Sequence, residues 1–434
     1  MADIQPSPAI AWAAEATANR STRQRKPHNC YENMEKIKTS VNLHQPGSIG
    51  VAKNISLDKR RRRKRRSPLA WRFKRFVLRY TWALPLAVMS IARLLYSLNP
   101  TESNPVHRFI FLSYRMEPGV PGERAQYAKG SRDLAFFSFY IVVTTFTREF
   151  IMQEILRPFA RHAGIAGRGK QARFMEQAYT AIYFAFLTPF GLYVMRHSPV
   201  WFFNTIGMYE GFPYRTLTAD FKFYYLFQAA YWAQQAIVLV LGLEKPRKDF
   251  KELVFHHIVT LALIGLSYRF HFTHIGIAVY VTHDISDLFL ATSKVLNYLD
   301  SSITVPFYAL FMCVWIYMRH YINLRIIYSL FTEFKTVGPY KLNWETEQYK
   351  CPLSFGITST LLIALQALNL VWLYYILRVA YRIVLYNEQK DARSDGEESD
   401  VEEENTGEGF APPDLPVSYP RSVSNKPQPL RRTP

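Results

Sequence analysis

Residues 251–300, KELVFHHIVTLALIGLSYRFHFTHIGIAVYVTHDISDLFLATSKVLNYLD, form an apolar stretch long enough for two membrane spans, since a helix needs about 20 residues to cross the hydrocarbon core. The stretch nevertheless carries five ionisable residues: His256, His257, His283, Asp284 and Asp287. An aspartate at the centre of a span costs roughly 2.5–3.5 kcal/mol on the insertion scale, so such residues usually face an internal cavity and serve function. The stretch therefore predicts two spanning helices with a polar site between them.

The rest of the chain has the composition of a multi-pass membrane protein. Of its 434 residues, 49% are hydrophobic and 15% aromatic, and the apolar residues are grouped in blocks of spanning length. Eight blocks are predicted to be helices, near residues 81–98, 134–154, 177–196, 221–243, 252–270, 274–297, 304–329 and 354–377. Because Arg93 and Arg148 interrupt the first two blocks, a core of six or seven spans is an alternative. The predicted fold class is an all-α polytopic membrane protein with disordered termini.

The net charge of +19 is unevenly distributed along the chain. A basic run, KRRRRKRRSPLAWRFKR at residues 59–75, lies immediately before the first block, and basic residues beside a span mark its cytoplasmic end. The run favours a role in topology and contact with anionic lipid over nucleic-acid binding. The connections after the second, fourth and eighth blocks are also basic, which predicts that both termini lie in the cytoplasm.

The C-terminal tail is acidic, and Ser394 and Ser399 each precede a glutamate by three residues. This spacing suits an acid-directed kinase, so both serines are candidate phosphorylation sites, with a plain solvated tail as the alternative. The three cysteines, Cys30, Cys313 and Cys351, are far apart. They predict neither a disulfide framework nor a zinc site.

The polar residues of the 251–300 stretch are predicted to share one depth in the membrane. A turn near residues 270–273 makes the two helices antiparallel, which places the histidine pair level with residues 286–287. Spacings of three and four residues give each helix a polar stripe. The stripes consist of His256, His257 and Thr260 on the first helix and His283, Asp284 and Asp287 on the second.

Other polar residues in the apolar blocks carry a weaker signal. For His271 and His274, near the turn, structural and functional interpretations are equally open. For Arg319, His320 and Arg325, in the seventh block, a structural role is slightly favoured over cavity lining.

Three kinds of chemistry use histidine and aspartate inside a membrane. Iron ligation needs more histidines at helical spacing than this stretch offers. Proton-coupled transport uses Asp and His chains, but no internal repeat or pair of broken helices indicates a transporter fold. Acyl transfer fits the residue types best, because imidazole serves as base or nucleophile while a carboxylate orients it or holds an amine.

The motif His256-His257-x-x-Thr260, followed by His283-Asp284-x-x-Asp287 within VTHDISDLFLATSK, resembles the signature of the ceramide synthase family, sphingoid-base N-acyltransferases built on the TLC membrane domain. The similar region spans about residues 168–388. The resemblance implies six helices in a TLC-type barrel around a lipid cavity. It divides the chain into a disordered basic segment at 1–70, two membrane spans within 71–167, the catalytic domain and an acidic tail at 389–434. The basic N-terminus and acidic tail resemble fungal members.

The resemblance also implies an activity: transfer of a fatty acyl chain from acyl-coenzyme A to the amine of sphinganine or phytosphingosine in the endoplasmic reticulum membrane, without metal or other cofactor. The implied catalytic residues are His256, His257, Asp284 and Asp287, with His283 and Thr260 in support. Candidate contacts to the coenzyme A phosphates are Lys245, Arg247, Lys248 and Lys251. Their interpretation as ordinary cytoplasmic-side charges, without a binding role, is at least as well supported by the sequence. Very long acyl chains, a small single-span accessory subunit, and a homo- or hetero-dimer are the further expectations.

The loop FTEFKTVGPYKLNWETEQYK, residues 331–350, is a candidate for limiting the length of the acyl chain. Two alternatives from other classes stay open. One is a non-catalytic TLC-domain protein that binds lipid or assists translocation, and the other is a proton-coupled lipid transporter.

Overall fold

A computed structural model describes residues 75–76, 79–117, 124–244 and 247–386 of the chain. The two predicted disordered termini, 1–70 and 389–434, lie entirely outside these ranges. The candidate phosphorylation sites Ser394 and Ser399 and the candidate phosphate contact Lys245 are also outside the described residues.

Each of the eight predicted blocks is helical in the structure, which confirms the all-α fold class. The helices are α1 Ala83–Leu98, α2 Asp133–His162, α3 Arg168–Arg196, α4 Ala219–Val240, α5 Phe250–Arg269, α6 Thr273–Tyr298, α7 and α8 Pro352–Tyr386. Helix α7 runs from Thr304–Trp315 through a π-helical segment, Ile316–Ile322, into Asn323–Thr332. Within the described ranges, five helices are long and apolar enough to cross a membrane: α2, α3, α5, α6 and α8. The number of eight spans stays a prediction.

A small antiparallel sheet is present that the all-helical prediction did not contain. Its strands are β1 Arg115–Met116, β2 Gln126–Ala128 and β3 Thr216–Thr218, in the order β1-β2-β3. Strands of two or three residues are too short for an alternating pattern to be recognised in a sequence. The sheet joins the region before α2 to the connection before α4. Lys222 reinforces this junction, because its fully buried ammonium lies 2.7 Å from an Asp133 carboxylate oxygen and donates to the Ala128 carbonyl.

Side chains of helices α3–α8 line the interior of the molecule, and the six-helix barrel stays a prediction. Helix α6 packs mainly along α3, while α5 packs mainly against α4 and α8. The short connection between Arg269 and Thr273 matches the predicted turn. The two helices of the 251–300 stretch therefore face each other across an internal cavity, and their principal packing partners are other helices.

The alternating direction of the helices gives the bundle two different ends. The sheet, the α5–α6 turn and the 333–351 loop lie at one end, which we call the sheet end. The basic connections after α2 and α4 lie at the opposite end, which we call the basic end. The loop at the sheet end is held by a bridge between Asn343 and Gln348 and by a hydrogen bond from Lys350 to the Val337 carbonyl.

Candidate active site

Two cavities open inside the ring of helices. The apolar cavity measures about 1180 Å³, counting the part that opens to the surroundings, and extends to the sheet end, where Leu342, Trp344 and Tyr349 line it. Its walls are otherwise mostly aliphatic and aromatic side chains of α5, α6 and α8. The polar cavity, about 1070 Å³ measured in the same way, extends to the basic end, where Glu244, Arg247 and Asp249 line it.

His256 and Trp232 line both cavities. The imidazole of His256 is buried, with ring centroids 5.6 Å from Trp232 and 5.1 Å from Trp372. Its Nε2 lies 3.4 Å from the Thr260 hydroxyl, while its Nδ1 has no hydrogen-bond partner among the described residues. His256 therefore stands where an apolar ligand and a polar ligand could meet.

His257 lines the polar cavity and has a defined tautomer. Its Nδ1 lies 2.8 Å from the carbonyl oxygen of Leu253, one turn earlier in α5. Because a carbonyl can only accept a hydrogen bond, Nδ1 carries the proton and Nε2 keeps its lone pair. That Nε2 is buried and has no partner within the described part of the chain. A neutral imidazole with a free lone pair can act as a base or as a nucleophile.

The polar residues of α6 lie in three different environments. His283 lines the apolar cavity, and Asp287 lines the polar cavity. Asp284, fully buried, lies against α4, where its Oδ2 accepts hydrogen bonds from Tyr224 at 2.7 Å and from Gln228. The two aspartates therefore do not share one face toward a cavity, because a spacing of three residues still leaves about 60° between side chains on a helix.

The structure brings most of the predicted site residues to a cavity wall, and their catalytic roles stay predictions. The cavity walls include His256, His257, Thr260, His283 and Asp287. Asp284 is in neither of these walls and is hydrogen-bonded to Tyr224 of α4. Of the candidate phosphate contacts, Arg247 lines the polar cavity. Lys248 and Lys251 are exposed at the basic end near the start of α5.

Several functional candidates were missed or undervalued in the sequence. Arg319, fully enclosed in the π-helical segment of α7, forms an ion pair with Asp287 and lines the polar cavity. Asn369 of α8 contacts His283, and the α4 residues Tyr224 and Gln228 contact Asp284. The sequence feature that could have identified these residues is a polar side chain within an apolar block. Burying a polar group in a span is costly, so such residues are functional candidates.

Charged side chains form ion pairs at the outer part of the polar cavity. Arg148 of α2 pairs with Glu244, and the Arg247 guanidinium lies 3.7 Å from a Glu176 carboxylate oxygen. Lys294 of α6 also lines this cavity, two turns beyond Asp287. The cavity wall thus offers cations at the basic end and histidines at its inner end.

A second ionisable cluster lies at the sheet end, beside the apolar cavity. The Lys129 ammonium is 3.3 Å from His271 Nδ1, and His271 Nε2 is 3.4 Å from a Glu347 carboxylate oxygen. Burial and the nearby Lys129 charge lower the pKa of His271 to about 4. Burial and the charge of Lys222 lower the pKa of Lys129 to about 7. His271 is therefore neutral at physiological pH.

Metal and disulfide chemistry were not expected in this chain. Within the described ranges, Cys313 and Cys351 are free thiols, and no group of three or more His, Cys, Asp or Glu side chains is arranged to hold a metal ion. The absence of a cofactor stays a prediction.

Long apolar helices around internal cavities, with three histidines and Asp287 in the cavity walls, define a multi-pass membrane protein with an internal site. Comparison with protein families identifies the kind of membrane domain: the family model of the TLC domain matches residues 173–378.

Relatives along most of the chain narrow the family further. A sphingosine N-acyltransferase-like protein of Gibberella moniliformis is 54% identical over 347 residues, which are 79% of this chain and 88% of that protein. A sphingosine N-acyltransferase of Schizosaccharomyces pombe is 47% identical over 82% of this chain and 93% of its own. A ceramide synthase of Saccharomyces cerevisiae is 48% identical over 79% and 83%. The chain belongs to the ceramide synthase family of TLC-domain membrane proteins and is an acyltransferase.

Proposed function

We propose that this enzyme transfers a fatty acyl group from acyl-coenzyme A to the primary amine of a sphingoid base, sphinganine or phytosphingosine, and so forms a ceramide. The names of the relatives support this reaction over the alternatives of lipid transport and non-catalytic lipid binding. The observation that carries the proposal is that His256 lines both the apolar and the polar cavity, with His257 beside it in the wall of the polar cavity.

The two cavities suit the two ends of an acyl thioester. The acyl chain would lie in the apolar cavity and extend toward Trp344 and Tyr349 at the sheet end. The coenzyme A portion would enter through the polar cavity from the basic end. The thioester carbonyl would then lie near His256, which lines both cavities.

His257 is the better candidate for the reacting imidazole, because its Nδ1 proton is held by Leu253 and its Nε2 is free. The reaction breaks the thioester C–S bond and forms an amide C–N bond. A sphingoid ammonium gives up two protons in this exchange: one ends on the coenzyme A thiol and the other leaves the site. His257 Nε2 can accept the proton that makes the amine nucleophilic, or it can first take the acyl group as an acyl-imidazole.

The two aspartates are assigned different roles in this proposal. Asp287, at the wall of the polar cavity, would accept a hydrogen bond from the incoming amine while Arg319 holds it in place. Asp284 would act indirectly, through its hydrogen bonds to Tyr224 and Gln228 that keep α6 against α4. His283 and Thr260 would shape the wall of the apolar cavity beside the carbonyl.

The basic end would bind the anionic part of the acyl donor. Arg247 lines the polar cavity there, and Lys248 and Lys251 stand nearby on the surface. With that end in the cytoplasm and the protein in the endoplasmic reticulum membrane, both termini are cytoplasmic and the donor is reached from the cytosol. No cofactor is needed for this chemistry. An accessory subunit and a dimer stay predictions.

The proposal is tested in membranes from cells that lack endogenous ceramide synthesis, supplied with labelled sphinganine or phytosphingosine and acyl-coenzyme A of several chain lengths. Wild type is expected to form labelled ceramide, and His257→Ala is expected to form at least about 100-fold less, the usual effect of removing a general base or nucleophile. His197→Ala is the matched control. His197 Nδ1 also contacts the carbonyl four residues earlier, at 2.9 Å, but the ring is exposed at the sheet end.

Two results would contradict the proposal. If wild type forms no labelled ceramide even with a co-expressed accessory subunit, the reaction is wrong. If wild type is active and His257→Ala is equally active, the reaction stands and the role of His257 is wrong.

A further inference from the structure

We infer that Arg319 and Asn369 are positioning residues for the acyl transfer: Arg319 holds Asp287 directly, and Asn369 links Arg319 to His283. This inference rests on the proposed function, and it assigns roles to two side chains that belong to neither polar motif of the sequence.

Arg319 is placed by an irregularity of its helix. The π-helical segment Ile316–Ile322 interrupts α7 at the depth of the site, and single π-helical turns are frequent at functional sites because they redirect side chains. The guanidinium of Arg319 lies over the Trp315 ring, 4.2 Å from its centroid, with 3% of the side chain exposed. A charge so deeply enclosed in the interior requires partners that satisfy its planar set of donors.

The partners of Arg319 come from both neighbouring helices. On α6, Nε donates to the Ser286 hydroxyl at 2.6 Å and Nη2 donates to Asp287. On α8, Nη1 donates to the Asn369 side-chain oxygen at 3.1 Å. A guanidinium can hold three acceptors in fixed directions, which the single nitrogen of a lysine cannot do.

The hydrogen bonds continue from Asn369 to His283 with a consistent direction. Since the Asn369 oxygen accepts from Arg319, its Nδ2 is the donor that lies 3.5 Å from His283 Nε2. His283 Nδ1 donates to the Val279 carbonyl at 2.8 Å, so Nε2 is left as the acceptor. The Val279 carbonyl therefore sets the tautomer of His283, and the chain of donors runs from Arg319 through Asn369 to the free Nε2 of this ring.

Arg319 contacts residues that line both cavities, directly or through Asn369. Arg319 and Asp287 line the polar cavity, while His283 lines the apolar cavity. Fixing both residues of α6 from one guanidinium keeps the wall opposite His256 in a single arrangement. A site held within a fraction of an ångström of the productive geometry gains rate without gaining substrate affinity.

The test compares two fully buried asparagines, Asn369 of α8 and Asn323 of α7. Asn369→Ala breaks the link to His283 and leaves the Arg319–Asp287 ion pair intact. Asn323→Ala is the matched control, because Asn323 of α7 is equally buried and donates to Gln366 of α8 at 2.8 Å, one turn beyond Arg319. Purified full-length variants are assayed with acyl-coenzyme A and sphinganine, and thermal unfolding is followed in the same detergent.

We expect Asn369→Ala to lower kcat about tenfold, the size expected for the loss of one supporting hydrogen bond, with KM for both substrates changed less than threefold. Asn323→Ala should lower the midpoint of thermal unfolding about as much as Asn369→Ala does, but its kcat should equal that of wild type. Arg319→Lys should lower kcat further, because one ammonium cannot replace three directed donors. The double variant Asn369→Ala/His283→Gln should be no slower than His283→Gln alone, since both changes act on one unit.

The inference is overturned if Asn369→Ala and Arg319→Lys both keep the kcat of wild type. It is also overturned if Asn323→Ala loses as much kcat as Asn369→Ala. An additive double variant would show that Asn369 does not act through His283. These outcomes require an active wild type, so they are distinct from failure of the proposed reaction, in which wild type itself forms no ceramide.

Discussion

His283 and Asp287, one helical turn apart on α6, lie in the walls of different cavities, His283 in the apolar one and Asp287 in the polar one. His256 of α5 lines both. A single turn of helix therefore separates the apolar cavity from the polar cavity along α6. The boundary between the two cavities is where a thioester carbonyl and a reacting amine would be brought together.

The length of the apolar cavity should decide which acyl chains are used. Thr358 of α8 lines this cavity, and Thr358→Trp would fill part of it, so the preferred acyl chain should become shorter by several carbons. The product profile with acyl-coenzyme A of graded lengths measures this. Leu370→Trp is the control, because Leu370 is an exposed residue of the same helix. An unchanged profile in Thr358→Trp would show that the acyl chain lies elsewhere.

The acyl donor should depend on Arg247 more than on its neighbours. Arg247→Gln removes a cation from the polar cavity wall, and we expect KM for acyl-coenzyme A to rise about five- to tenfold with little change in kcat, since a charge-assisted contact to phosphate is lost. Lys251→Gln, at an exposed position, should change KM less than twofold. Equal effects of the two substitutions would favour a diffuse surface attraction over a defined contact.

Asp284 and Asp287 should contribute to different properties, Asp284 to stability and Asp287 to activity. Tyr224→Phe removes a hydrogen bond of 2.7 Å to the buried Asp284, and it should lower the free energy of unfolding by about 1–3 kcal/mol while kcat stays within threefold of wild type. Asp287→Asn should lower kcat by at least about 100-fold. Thermal unfolding and initial rates on the same preparations separate the two effects. A Tyr224→Phe enzyme with normal stability and no activity would place Asp284 in the chemistry.

The sheet end should lose stability in mild acid through His271. The pKa of this residue is about 4 when folded, against about 6.5 in an unfolded chain. The unfolded state therefore binds more protons between these values, and the free energy of unfolding falls as pH decreases from 6.5 toward 4. The difference between the two pKa values corresponds to about 3 kcal/mol, which solvent screening reduces to roughly 2 kcal/mol from this group.

His271→Gln, which cannot titrate, should flatten that part of the pH profile, measured by thermal unfolding in detergent between pH 4.5 and 7.5. His162→Gln provides the comparison, because His162 is exposed at the basic end. A profile that stays equally steep in His271→Gln would assign the acid sensitivity to other groups.

The helical blocks and most of the candidate site were predictable because their signals are local. A run of about 20 apolar residues has few alternatives in a bilayer, and ionisable residues such as His256 and Asp287 are conspicuous within such runs. The motifs around His257 and His283 also carried the correct family. By contrast, the strands at Gln126–Ala128 and Thr216–Thr218 were missed, since each depends on a partner far away in the chain.

The order of residues in 251–300 was enough to predict two spanning helices, a turn between them and a polar interior, because spacing along a helix sets which side chains share a depth. Depth alone does not say which neighbour each side chain meets. The packing of α4, α7 and α8 around α5 and α6 decides these neighbours. It places Asp284 in a hydrogen bond with Tyr224, Asp287 in an ion pair with Arg319, and His256 in the walls of both cavities. Those contacts join residues 32 to 60 positions apart, and only the folded arrangement of the helices decides them.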